Sequence, residues 1–173
     1  MKKYLLPFFL LGSLVMVYVM GKTGAPLKTP LTPNGILDLE LAFNATTTGK
    51  IVNTWASFNS VDLVSAAKFN TWLDFIFIFF YAFFLYLAAN KISTAFGGKF
   101  GKAGKFIAKG ACAAGVLDVG ENAGMLYALS GNISGTAAFL TSFCSVIKWL
   151  LAILAVLYVL TGSVAMIRTG FRK

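Results

Sequence analysis

The chain has 173 residues, of which 58% are hydrophobic and 12% are charged, and its mean hydropathy is +0.78. A soluble domain contains about 25% charged residues, and a disordered chain is poor in aromatic residues, whereas 15% of this chain is aromatic. The composition therefore excludes both classes and predicts a polytopic membrane protein. Because the basic residues behind the net charge of +9 flank apolar segments, we expect them to contact the lipid bilayer and no nucleic acid.

The residue types rule out several kinds of catalytic and metal site. The chain contains no histidine, which excludes bis-His haem, histidine zinc sites and a histidine general base. Its two cysteines, Cys112 and Cys144, form no C-x-x-C motif. Their predicted depths differ by about 15 Å, which is beyond disulfide reach. We therefore expect no cofactor, no metal site and two free cysteines that pack between helices.

Four apolar segments approach or exceed the length of about 20 residues that crosses a bilayer, and they fall at residues 4–20, 71–89, 105–129 and 137–163. No A-x-A cleavage site follows the first segment, which favours a retained anchor over a signal peptide. We predict a single membrane domain over residues 1–173. Its fold class is all-α, an integral membrane four-helix bundle.

The distribution of positive charge predicts the orientation of these spans. Four basic residues lie in the long segment after the first span: Lys22, Lys28, Lys50 and Lys68. Ten lie on the side of the two termini: Lys2, Lys3, Lys91, Lys99, Lys102, Lys105, Lys109, Arg168, Arg172 and Lys173. We therefore expect both termini in the cytoplasm.

The segment 21–70 is predicted to form a short helical cap on the extracytoplasmic face, between the first and second spans. Thr32-Pro33 has the pattern of a helix start, and residues 44–48 are predicted to break the helix that follows. An amphipathic helix comes next, with apolar residues spaced for one face at Ile51, Val52, Trp55 and Phe58. The alternative is an interfacial helix that lies in the lipid.

The helix that enters the second span is predicted to be capped by Ser60. At its other end, the basic inner loop 90–104 is expected to be a flexible turn against anionic lipid. The third span carries small residues, including Ala108, Ala111 and Gly115, that allow close helix packing. We therefore expect the third helix to be central in the bundle.

Charged residues inside the spans provide the main clue to function, because each costs about 2.5–3.5 kcal/mol to insert. Asp118, Glu121 and Asn122 lie three and four residues apart in the third span, on one helical face. Lys148 lies in the fourth span, as far from the connecting turn as Asp118 does. Because a short connection makes these helices antiparallel neighbours, we predict a buried ion pair between Lys148 and Asp118 or Glu121.

Two further acids are predicted to lie near this pair. Asp74 sits just inside the second span, and Glu40 belongs to the cap. Together the candidate binding residues would line one polar pocket that opens outward: Glu40, Asp74, Asp118, Glu121, Asn122 and Lys148. The alternative is that these residues only fix the register of the helices through hydrogen bonds and an ion pair.

The chain resembles a group of uncharacterised small bacterial four-span integral membrane proteins. The resemblance covers most of the chain from residue 30 onward and rests on short pieces: Thr32-Pro33, Gly35-Ile36, Leu39-Glu40-Leu41-Ala42, Trp55, Asp74-Phe75, Phe77, Tyr81, Asp118, Glu121-Asn122 and Lys148. It implies four spans in a bacterial inner membrane and carries no known activity.

Three classes of function follow from these observations. The sequence favours a non-enzymatic membrane interaction or accessory protein, with a membrane protein or a second copy of the chain as partner. The alternative is a protein that binds or transports a small molecule or ion through the carboxylate-lined pocket. A carboxylate-based intramembrane enzyme is least favoured, because no pair of nucleophile and base is recognisable.

Overall fold

The computed structural model describes residues 4–58 and 62–170. In this part of the chain the structure is helical, with one isolated bridge between Thr29 and Thr32 and no strand. The helices are α1 (Leu5–Gly24), a 3₁₀ turn (Ala25–Leu27), α2 (Ile36–Glu40), α3 (Ala45–Ala56), α4 (Leu63–Ala95), α5 (Gly98–Leu129) and α6 (Gly135–Gly170). The predicted cap residue Ser60 and the terminal charges Lys2, Lys3, Arg172 and Lys173 lie outside the described residues.

Among the described residues, α1, α4 and α6 are long and apolar enough to cross a membrane. The all-α fold class is therefore confirmed for the described residues, and three of the four predicted spans correspond to membrane-capable helices. The third predicted span, 105–129, lies in α5, a helix of 32 residues that is about 48 Å long at 1.5 Å per residue. It is less apolar than the others because its first half carries four lysines and its second half carries Asp118, Glu121 and Asn122.

Helix α5 packs between α4 and α6, and α1 packs against α4. Small residues bring the helices together, as the sequence predicts: Ala108 and Ala111 are buried in the core, and Gly115 faces Ala82 of α4. Both cysteines are free, as predicted, but Cys112 is exposed on α5 instead of packed between helices.

The position of α1 is set by aromatic rings of α4. The Phe9 ring stacks on Phe83 with centroids 5.3 Å apart, and it contacts Phe79 edge-on at 5.5 Å. One turn along, Gly12 faces the ring of Phe80 and leaves room for it. These contacts bind α1 to one side of α4 and keep it away from α5.

The segment between α1 and α4 folds around a buried tryptophan. Trp55 of α3 is fully buried, and its indole N–H donates to the Leu27 carbonyl oxygen at 3.1 Å and to Thr32 Oγ1 at 3.2 Å. Thr32 therefore belongs to a buried turn, and the prediction that it starts a helix is wrong, since Gly35 with φ +65° precedes α2. The apolar face of α3 packs with Leu63 and Met125, which contradicts an interfacial helix lying in lipid.

Two helix starts in this region differ from the sequence prediction. Asn44 caps α3, with its Oδ1 accepting from the Thr47 N–H at 2.8 Å, so the predicted break at 44–48 is shifted to the residues before Ala45. Asp62 caps α4 by accepting from the N–H and the hydroxyl of Ser65 at 2.9 and 2.6 Å. These hydrogen bonds hold the pKa of the exposed Asp62 carboxyl below its ordinary value.

The turn between α4 and α5 is shorter than the predicted flexible loop 90–104. Only Phe96 and Gly97 separate the two helices. The Ser93 hydroxyl donates to the Gly101 carbonyl oxygen at 2.6 Å, and both residues are buried. The expected loop is helical because Gly101 has no side chain, which lets α5 begin directly against the end of α4.

This close approach gives a stability prediction. A Cβ at residue 101 would overlap the Phe96 carbonyl oxygen and lie 2.8 Å from that of Ser93. We expect Gly101→Ala to lower the free energy of unfolding by about 1–3 kcal/mol, the usual cost of overpacking. Gly110→Ala on the same helix is the control, since its Cβ would make an ordinary contact at 3.5 Å with Leu151. Equal thermal unfolding midpoints in detergent for both variants would contradict the prediction.

Candidate functional site

Lys148 of α6 lies at the centre of a buried ion cluster and is only 7% exposed. Its Nζ donates to Asp118 Oδ1 at 2.6 Å and to Glu121 Oε1 at 2.9 Å, and Glu40 Oε2 lies 3.7 Å away. The predicted ion pair is therefore confirmed, and Lys148 contacts both candidate acids of α5. All three carboxylates are buried.

The short connection between α5 and α6 produces this geometry. Helix α5 ends at Leu129 and α6 begins at Gly135, and Gly131 turns the chain with φ +91°. The two helices therefore run antiparallel, and equal numbers of residues from the turn reach equal depths. Asp118 and Glu121 are one turn apart on the buried face of α5, so one lysine amine can reach both.

A second set of hydrogen bonds ties α4 to the cluster. The Tyr81 hydroxyl donates to Asp118 Oδ2 at 2.7 Å, and the Asn122 amide donates to Asp74 Oδ2 at 2.7 Å. Both oxygens of Asp118 are thus occupied. The Asp74 carboxylate is held at the edge of the cluster by an α5 side chain.

Glu40 extends the cluster to α2. Its Oε2 accepts from the Ser145 hydroxyl at 3.2 Å and from the Trp149 indole at 3.3 Å. The neighbouring Phe43 N–H donates to Ser142 Oγ at 2.9 Å. These bonds attach the segment between α1 and α4 to α6.

The structure brings all six predicted site residues together, but the sequence assigned no role to Tyr81, Ser145 or Trp149. Ser145 could have been found from its spacing, since it precedes Lys148 by three residues on the same helical face. Tyr81 lies in a span so rich in aromatic residues that no single one stands out. Trp149 follows Lys148 directly, but it lies in the middle of a long apolar span and looks like one more lipid-facing side chain.

A cavity of ≈ 460 Å³ adjoins the cluster. We call it the α1/α6 groove, because it separates α1 from α6 and its floor is α4. Its walls are mainly apolar and include Leu10, Leu14, Val17, Phe77, Tyr81, Trp149, Ala152 and Val156. Its polar residues are Ser13, Glu40, Asp74, Asp118 and Lys148.

The groove differs from the pocket that the sequence predicts. Glu121 and Asn122 do not line it, because they are fully buried behind Asp118 and Lys148. The groove also extends along the helices, from the level of Glu40 to Leu85 on α4 and Val156 on α6. The exposed side chains of Leu14 and Trp149 border its opening.

Two polar atoms at the back of the cluster have no hydrogen-bond partner among the described residues. They are Glu121 Oε2 and Asn122 Oδ1, and both are acceptors. A larger cleft of ≈ 820 Å³ lies between α2 and α3. Its only carboxylate, Asp38, is already bonded to the Asn34 backbone and amide, so the groove is the better candidate site.

Comparisons with known proteins assign no family. No family model matches this chain, and searches of curated proteins and of solved structures return no significant match. Within residues 4–58 and 62–170, no group of three or more His, Cys, Asp or Glu side chains is arranged to hold a metal ion. The groove and its ion cluster are therefore the features that bear on function.

The central position of Lys148 predicts a large effect of its removal. Lys148→Met leaves Asp118 and Glu121 buried without their cation, and breaking a buried pair in this way costs about 3–5 kcal/mol. We expect a clear drop in the thermal unfolding midpoint in detergent at neutral pH. Lys109→Met is the matched control, because Lys109 is exposed on α5. If both variants have the same unfolding midpoint as the native protein, Lys148 does not stabilise the cluster.

Proposed function

We propose that the chain is a four-span protein of the bacterial inner membrane, with α5 as the third span. The polar residues of α5 support this topology, because Asp118, Glu121 and Asn122 are all buried against neighbouring helices. Its exposed face at the same depth carries side chains that suit lipid, such as Val116 and Val119. Polar groups that face the interior of a bundle are compatible with a membrane span.

In this topology the segment between α1 and α4 is an extracytoplasmic cap and both termini are cytoplasmic. Single-cysteine variants in a Cys112→Ser/Cys144→Ser background test the orientation. We expect Thr54→Cys of the cap to react with a membrane-impermeant maleimide on spheroplasts. Lys99→Cys at the α4–α5 turn should react only in inside-out vesicles. The opposite pattern would mean that the orientation is reversed. Labelling of both residues from one side would mean that α4, the helix between them, does not span the membrane.

Within this membrane frame, we infer that the protein binds an amphiphilic small molecule in the α1/α6 groove. The observation that carries this inference is the cavity of ≈ 460 Å³ with Glu40, Asp74, Asp118 and Lys148 at one end. Ligand pockets typically have volumes of about 300–1,000 Å³ and combine apolar walls with a few polar groups. An apolar chain would lie along α1 and α6, and its polar end would reach the cluster.

The groove favours entry from the hydrocarbon phase. Its walls are built from α1 and α6, two helices apolar enough to span a membrane, and Leu14 and Trp149 are exposed beside it. A ligand that already partitions into lipid would not have to cross the cap. We propose binding instead of catalysis, because Lys148 and Tyr81 already engage the Asp118 carboxylate.

A second candidate is the accessory protein that the sequence favours. The observation in its favour is that the cluster joins α2, α4, α5 and α6 through side-chain hydrogen bonds. In that case the polar residues fix the helix arrangement, and a membrane protein or a second copy binds elsewhere. The two candidate functions differ in what they require of the groove: ligand binding needs it open, whereas the accessory role does not.

Tryptophan fluorescence tests whether the groove holds an amphiphile. Trp149 lines the groove and is 45% exposed, while Trp55 is fully buried. A Trp72→Phe background removes the other exposed tryptophan. In nanodiscs, a dibrominated monoacylglycerol should quench Trp149 saturably, because bromine quenches on contact and the number of groove sites is fixed.

The control variants separate groove binding from general partitioning into lipid. Ala152→Phe fills the groove and should abolish the saturable part of the quenching. Ala113→Phe makes the same change on an exposed face of α5 and should leave the saturable quenching intact. Quenching that rises linearly and equally in all three proteins would overturn the binding function and favour the accessory role.

A further inference from the structure

The ion cluster contains more acceptors than donors. Four carboxylates, those of Glu40, Asp74, Asp118 and Glu121, surround the single amine of Lys148. Lys148 already bonds two of them, and Tyr81 donates its only hydroxyl hydrogen to Asp118. The buried polar atoms without a partner at the cluster, among the described residues, are both acceptors. The cluster therefore holds one amine for four carboxyl groups, and several of its oxygens accept no hydrogen bond within the described residues.

The two carboxylates with spare capacity are also the ones that line the groove. The hydrogen bonds of Glu40 all end on Oε2, and that of Asp74 ends on Oδ2. Oε1 of Glu40 and Oδ1 of Asp74 have no hydrogen-bond partner in the described structure. Glu40 is 7% exposed, so this oxygen belongs to a side chain that is nine-tenths buried at the end of the cavity.

Aromatic rings beside these carboxylates add to the preference for positive charge. Trp149 lines the groove, and its ring centroid is 5.6 Å from the Lys148 amine. The Phe77 and Tyr81 rings, whose centroids are 5.0 Å apart, line the floor of the groove on α4. The negative faces of aromatic rings attract ammonium groups within about 6 Å, and the attraction is stronger where water is excluded.

We propose that the ligand of the α1/α6 groove is a cationic amphiphile, an alkylammonium whose N–H donors bond the free oxygens of Glu40 and Asp74. This inference rests on the proposed function, because it names the chemical class that the same groove takes. An anionic head group would meet the carboxylates directly, and the amine of Lys148 is already bonded to Asp118 and Glu121. A neutral head group would bring no positive charge to these carboxyl groups.

Three probes with the same chain test the charge preference: 3-bromododecylammonium, 3-bromododecanol and 3-bromododecyl sulfate. The bromine stands close to the head group because Trp149 lies at the polar end of the groove, where its indole bonds Glu40. Each is titrated into the Trp72→Phe protein in nanodiscs of zwitterionic lipid, and the quenching of Trp149 is measured against the probe concentration in the bilayer. We expect the ammonium to half-saturate at a concentration at least about tenfold below the alcohol, as one charge-assisted hydrogen bond provides. The sulfate should show only linear quenching.

Variants of the two acids identify the groups that bind the ammonium. Glu40→Gln and Asp74→Asn should each raise its half-saturating concentration about tenfold and leave that of the alcohol unchanged. Retained binding of the alcohol shows that these variants are folded. Asp62→Asn is the matched control on α4, because Asp62 is exposed at the helix start. This variant should bind the ammonium with the same half-saturating concentration as the protein that keeps Asp62.

The outcomes separate the two proposals. If the alcohol and the ammonium half-saturate at the same concentration, or if the sulfate binds as tightly as the ammonium, the groove binds amphiphiles and the proposal of a cationic ligand is wrong. The same conclusion follows if Glu40→Gln and Asp74→Asn bind the ammonium normally. If no probe quenches saturably, the binding function itself is overturned.

Discussion

The burial of one lysine amine among carboxylates determines how the rest of this molecule is arranged. A charged group deep in an apolar bundle is tolerated only where partners replace its hydration. Lys148 finds these partners on two elements, because Asp118 and Glu121 come from α5 and Glu40 comes from α2. Helix α4 joins through Tyr81. One side chain thus fixes the relative depth of elements that are far apart in sequence.

The ion cluster and the groove are two results of the same packing. Phe9 and Gly12 of α1 contact Phe80 and Phe83 of α4, and this packing leaves a gap between α1 and α6. Because the cluster lies at the end of this gap, its edge carboxylates are not fully enclosed by protein. A dry cluster with every acceptor paired would serve only to hold helices together. Here Glu40 and Asp74, each with one oxygen that accepts no hydrogen bond in the described structure, line a cavity, which is the basis of the proposed ligand class.

Much of the fold follows from simple sequence patterns, because long apolar runs define helices and equal distances from a turn define equal depths. That argument places Lys148 beside Asp118 without any structure. The groove could not be predicted, since it depends on which side of α4 receives α1, and the aromatic residues of α4 occur on all faces. The length of the α4–α5 turn could not be predicted for a similar reason. The role of Gly101 becomes visible only when Ser93 lies against it.

The cluster also bears on how α5 enters the membrane in the proposed topology. Alone, α5 would insert Asp118 and Glu121 at a cost of about 2.5–3.5 kcal/mol each on insertion scales, and α6 would insert Lys148 unpaired. Because the turn between these helices is short, the lysine can meet both acids as soon as the two segments form a hairpin. Pairing before or during insertion reduces the exposed charge from three groups to one. The low apolarity of α5 is therefore compatible with a span, provided that α5 and α6 insert together.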